Sequence, residues 1–122
     1  MKAVLVVLLL AGAALLAGCA KSPPVGSPDR IIDITLGRYF FDPGTNHSLN
    51  ATKGESLLLR LHTLDVTHGF AITEYGIQEQ VAPGGVTQVR IVADKIGDFV
   101  IYCTVFCGTG HPQHKGTFHV SQ

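Results

Sequence analysis

The sequence predicts an all-β domain, an antiparallel β-sandwich or barrel, on three observations. Short apolar runs alternate with polar residues, turn residues separate them at close intervals, and no helical pattern of convincing length appears. "RIIDITLG", from Arg30, is the first such run. "ESLLLRLHTL", from Glu55, puts Leu57, Leu59 and Leu61 on one face and Leu58, Arg60 and His62 on the other, because successive side chains of a strand point to opposite sides. "GFAITEYG", "VTQVRIVA", "GDFVIYC" and "GTFHVS" follow, each short and rich in β-branched and aromatic residues. Turn chemistry stands at Asp42-Pro43-Gly44, Lys53-Gly54, Pro83-Gly84-Gly85 and Ile96-Gly97-Asp98. Phe40, Phe41, Leu57, Leu59, Leu61, Val89, Ile91 and Phe99 are the expected core or strand-face residues.

With 122 residues, 46% of them hydrophobic, the chain can build one small domain and hardly two. Its formal net charge is zero and it has no basic run, which argues against a nucleic-acid partner, since phosphate binding needs clustered Lys and Arg. The start is of another character. Residues 1–18 carry Lys2 and then "AVLVVLLLAGAALLAG", an apolar stretch too short for a comfortable membrane span and ending in small residues, as an export signal does. "LAGC", Leu16 to Cys19, looks like a bacterial lipobox, in which Cys19 is lipidated and becomes the first mature residue; the alternative is an uncleaved anchor helix with a chance cysteine. Both place the domain outside the cytoplasm, tethered to a membrane and facing the periplasm or the cell exterior. Residues 19–29, with three prolines, a glycine and two serines, read as an extended spacer, and the folded domain is expected over 30–122.

The chemistry concentrates in "CTVFCGTGHPQHKG", from Cys103. Gly108, Gly110 and Pro112 argue against a helix there, so the segment is a loop that follows a strand and can curl Cys103, Cys107, His111 and His114 towards one point. Two cysteines in an exported protein ordinarily suggest a disulfide. Thiolates converging with imidazoles are equally metal-ligand chemistry, with zinc and copper both reasonable. His68, in "DVTHGF", ends another strand and joins the loop if strand ends meet. Phe70, Phe106 and Phe118 are expected to line an apolar surround that suits copper and electron transfer, and Asp65 either orients His68 or is a turn residue. His47 and His62 read as solvent-facing, and His119 lies in the last strand. No nucleophile–base pair and no phosphate-cradling loop is recognisable.

"DVTHGF", "VAPGGVTQVR", "KIGDFVIYC" and "CTVFCGTGH" together resemble the copper-A domain of cytochrome c oxidase subunit II, over roughly Ile31 to Val120. The resemblance implies a cupredoxin-like Greek-key β-sandwich or barrel. It also implies a copper centre in which Cys103 and Cys107 bridge two ions, His68 binds one, His111 the other, and the Val105 carbonyl is a weak ligand beside His111. The implied function is one-electron relay with a redox partner such as a c-type cytochrome or a terminal oxidase, not bond-making; storage or delivery of copper at a mononuclear or modified site is the alternative. The chain departs from the family at His114, which stands where the family has a weakly bound methionine. An imidazole there either binds and lowers the reduction potential, or swings away and leaves one copper instead of two. Val105 replaces a glutamate common in oxidase subunits, and the chain has no tryptophan, so Tyr75, Tyr102 or Phe106 would have to stand in where electrons enter.

Overall fold

The computed structural model describes residues 26–43 and 48–122. The signal, Cys19, the spacer up to Val25 and His47 lie outside these residues. Among the described residues nine strands follow in chain order: β1 (Arg30–Gly37), β2 (Phe40–Asp42), β3 (Ser48–Thr52), β4 (Ser56–Thr63), β5 (His68–Ile72), β6 (Ile77–Val81), β7 (Thr87–Val92), β8 (Gly97–Tyr102) and β9 (Lys115–Ser121). They form two sheets, ordered β2-β1-β4-β7 and β3-β9-β8-β5-β6. The inward residues of both sheets meet in one core, Ile34, Leu57, Leu59 and Leu61 from the first against Phe70, Ile101, Phe118 and Val120 from the second. Alternation does this: in β4 Leu57, Leu59 and Leu61 are fully buried while Arg60 between them is exposed.

Three expectations are corrected. The sheets are mixed rather than antiparallel, because β1 pairs parallel with β4 and β3 parallel with β9. In each case the intervening chain visits the opposite sheet before returning, so the second strand re-enters running the same way as the first. "GFAITEYG" is a strand only as far as Ile72; Thr73–Tyr75 then turn as a single 3-10 turn closed by Gly76, whose φ of 63° only glycine adopts without strain. His62 is half-buried and its Nε2 lies 2.9 Å from the Thr35 hydroxyl on the neighbouring strand, so it is a strand-pairing residue and not a solvent-facing one.

Two strand ends position the site. Ala71 on β5 pairs with Tyr102 on β8, and continuing that register puts Gly69 opposite Thr104 and His68 opposite Val105. The segment after β8 therefore runs beside the start of β5. The β8–β9 connection returns to the same place, because the Cys103 N–H donates to the His114 carbonyl at 3.2 Å and closes the loop at its base.

Candidate metal centre

Four buried residues from two segments of the chain, the start of β5 and the β8–β9 connection, converge. His68 opens β5, Cys103 follows β8, Cys107 lies within the loop and His114 immediately precedes β9. One donor atom from each lies within 4.8 Å of all the others. The two sulfurs are 3.7 Å apart, far beyond the roughly 2.05 Å of a disulfide, so both cysteines are free thiols here.

Each imidazole is aimed from behind. Asp65 Oδ1 accepts from His68 Nε2 at 2.6 Å, which leaves His68 Nδ1 facing the cluster, buried and without any partner. An orphaned buried nitrogen is costly in a finished fold, and a metal ligand is the direct explanation. Asp65 stays ionised to do this: burial pulls its carboxyl upward, but hydrogen bonds from His68 and from the N–H groups of Val66 and Arg38 outweigh burial and hold it down at about 2. Replacing Asp65 by alanine is expected to weaken metal binding by roughly 10–100-fold, because the ring loses its fixed tautomer and orientation. A competition titration against a chelator measures this, and an affinity equal to wild type would show that packing alone orients His68.

His114 is held in the same manner from the other side. Its Nε2 donates to the Phe40 carbonyl at 2.9 Å, its ring stacks on Phe41 with centroids 4.1 Å apart, and its edge meets His68. A carbonyl only accepts, so the proton sits on Nε2 and the lone pair on Nδ1, 3.6 Å from Cys107 Sγ. Burial first, and then the neighbouring His68 and His111, keep the ring neutral by lowering its pKa against the pull of the Phe40 bond. The His114 ring thus lies within the cluster.

His111 is placed differently. It is half-buried and outside the mutually close set, yet its Nδ1 also approaches Cys107 Sγ, at 3.7 Å. His111–Gln113 form one 3-10 turn with Pro112 inside it, and three residues per turn bring positions 111 and 114 round to the same sulfur. The Val105 carbonyl accepts from the Cys103 thiol at 3.0 Å, so it too faces the cluster. Burial, and then Cys103 beside it, push the Cys107 thiol up to about 11. Two adjacent buried thiolates repel each other unless a cation lies between them.

Phe106 does not line the surround. It is 77% exposed on the outer side of the loop, 5.8 Å from the His111 ring, while Phe70 and Phe118 are buried as expected. Three contributors had no signal in the motif itself. Arg38 donates from its backbone to Asp65 Oδ2 and from Nε to the Cys107 carbonyl at 3.1 Å, tying both ligand-bearing segments to the β1–β2 turn. The Tyr39 ring lies against Gly108 and Gly110, where any side chain would collide with it. Gly69 lets the Thr104 backbone approach β5 closely, and its N–H donates to Cys103 Sγ at 3.3 Å. A glycine inside the strand pattern "HGF" is the one sequence hint of this approach.

The family model described as the periplasmic domain of cytochrome c oxidase subunit II matches residues 44–115, and these include every one of the converging donors. The chain belongs to this family. Membership in the periplasmic-domain family of subunit II implies periplasmic exposure and copper, and the His68, Cys103, Cys107 and His114 cluster is consistent with a copper-A-like centre. Among relatives, cytochrome c oxidase subunit 2 of Thermus thermophilus is 31% identical over 74 residues, 61% of this chain and 55% of that protein. The chain spans about half the length of the curated subunit 2 relatives it matches. Among solved structures, the periplasmic domain of subunit II of cytochrome oxidase from Bradyrhizobium japonicum superposes with a TM-score of 0.71 at 17% identity, covering 80% of this chain and 88% of that one. A mixed-disulfide intermediate between a thioredoxin-like protein and subunit II of cytochrome c oxidase gives 0.68 at 17% identity, covering 84% and 88%. These likenesses establish the cupredoxin-like sandwich.

Proposed function

We propose that this domain is a one-electron relay built on a two-copper centre, with Cys103 and Cys107 shared between the ions. His68 and His114 would serve one ion, and His111 with the Val105 carbonyl the other. The observation that carries the reading is the position of Cys107 Sγ, 3.7 Å from Cys103 Sγ and flanked by His111 Nδ1 at 3.7 Å and His114 Nδ1 at 3.6 Å. When bound, such a pair accepts and releases one electron spread over two metals and two sulfurs.

The chain's own part is to keep the donors still. Asp65 and the Phe40 carbonyl fix the two buried rings, Arg38 and Tyr39 brace the loop, and the N–H of Gly69 supports the sulfur of Cys103. A donor set that does not move as charge changes costs little reorganisation, and the buried surround excludes water.

The further parts of the reading rest on the sequence. Lipidation at Cys19 and a spacer to residue 29 would tether the domain to a membrane, which the "LAGC" motif supports. Among the described residues no helix is long and apolar enough to cross one. A c-type cytochrome or a terminal oxidase is the expected electron partner, and, by likeness to the neighbour solved as a mixed disulfide with a thioredoxin-like protein, such a protein is the proposed reductant of the cysteine pair before metal enters. Copper-loaded protein is expected to hold two ions per chain and to give an electron spin resonance pattern split by both nuclei. A four-line pattern with one copper would overturn the two-copper relay, and colourless, copper-free protein would overturn copper altogether.

A further inference from the structure

We infer that His114 completes a self-sufficient site for a single Zn2+ ion on His68, Cys103, Cys107 and His114, so that this half of the centre fills first and the His111 half second. The inference rests on the metal-centre reading and adds an order and a competing ion to it. A tetrahedral ion with metal–sulfur distances of about 2.3 Å and metal–nitrogen distances of about 2.0 Å needs S···S edges of about 3.8 Å and S···N edges of about 3.5 Å. The cluster offers 3.7 Å between its sulfurs and 3.6 Å from Cys107 Sγ to His114 Nδ1 before any ion is present.

All four side chains are buried, and both rings turn Nδ1 away from the partner that Nε2 already has, the Asp65 carboxylate for His68 and the Phe40 carbonyl for His114. All six donor–donor distances lie within 4.8 Å, so entry of Zn2+ would need the donors to close by no more than about 1.5 Å. The two thiols lose one proton each, two metal–sulfur and two metal–nitrogen bonds form, and the charges of the ion and the two thiolates cancel. A neutral buried set avoids the penalty of an unpaired interior charge. The other half has less of its own to offer: one half-exposed imidazole, His111, and the weak Val105 carbonyl, the sulfurs being common to both. A thioether at position 114 would leave the two halves nearly matched, with one imidazole each. The imidazole makes them unequal.

The test is a titration of the reduced, metal-free protein with Co2+, whose tetrahedral thiolate complexes absorb strongly in the visible, followed by displacement with Zn2+. Wild type is expected to saturate at one tight equivalent, His111→Ala to keep that equivalent with unchanged colour, and His114→Met to weaken it by roughly 100-fold. Circular dichroism confirms that each variant is folded. Two equivalents of equal affinity in wild type, loss of the first equivalent in His111→Ala, or wild-type affinity in His114→Met would each overturn the inference. Its failure is distinguishable from that of the relay. One tight Co2+ with a four-line copper spectrum refutes the relay and supports the ordered site, whereas two equal Co2+ ions with a spectrum split by both copper nuclei do the reverse.

Discussion

Replacing Cys107 by serine is expected to abolish the proposed two-metal centre while leaving the sandwich folded. Cys107 Sγ is the atom on which the donors meet, within 3.7 Å of Cys103 Sγ and of the Nδ1 atoms of both His111 and His114. A serine oxygen is smaller, harder and does not ionise in this range, so neither ion of the proposed pair would keep a shared ligand. The metal-free fold has little to lose, because the buried thiol, pushed up to about 11 by burial and then by Cys103, is protonated at neutral pH and acts as a small apolar group. The cost to stability is about 1 kcal/mol, typical of a modest polar change in a buried position. Metal analysis per chain and thermal unfolding of the metal-free variant check the two halves of this expectation. A variant that still binds two copper ions would remove Cys107 from the bridge.

Gly69→Ala is expected to have the largest effect on stability. The new Cβ would collide with the Oγ1, backbone N and Cα of Thr104, which the β5–β8 register places opposite Gly69. Neither segment can give way easily, because Gly69 lies in β5, whose five residues are all buried, and Thr104 is flanked by Cys103 and its bonds. Overpacking of this kind costs about 3 kcal/mol, which for a domain of this size lowers the melting temperature by roughly 10–20 °C. The displaced Cys103 would also lose its hydrogen bond from the Gly69 N–H and its fit to the other donors. Adding Thr104→Gly removes the hydroxyl but not the backbone clash, so the double variant should stay destabilised. A melting temperature within a few degrees of wild type for Gly69→Ala would contradict the close approach.

How much of this was legible varies by element. The runs at β1, β4, β7, β8 and β9 match their strands to within one or two residues, because each carries enough alternating apolar residues to set a face. β2, β3 and β6 went unnoticed for a physical reason. β2 has three residues, β3 buries only Leu49 and Ala51, and β6 is largely polar with Val81 as its one buried residue, so none has a pattern of its own strength. Phe106 was misplaced because hydrophobicity says nothing of which side of a loop a side chain takes. The parallel pairings were illegible because alternation defines a strand's faces and not the direction of its neighbour.

By itself the sequence determined the donor types and the spacing that lets Cys103, Cys107, His111 and His114 share a loop, since glycines and a proline exclude the helix that would have lined them along one face instead of gathering them at one point. It also determined the all-β class and the departure at position 114. Only the tertiary structure decided what that departure means. The proton on His114 is located by the carbonyl of Phe40, 74 residues earlier, and the approach of β5 to the loop by the absent side chain of Gly69. Such choices turn on the last few tenths of an ångström between segments distant in the chain, and local pattern carries no record of those distances.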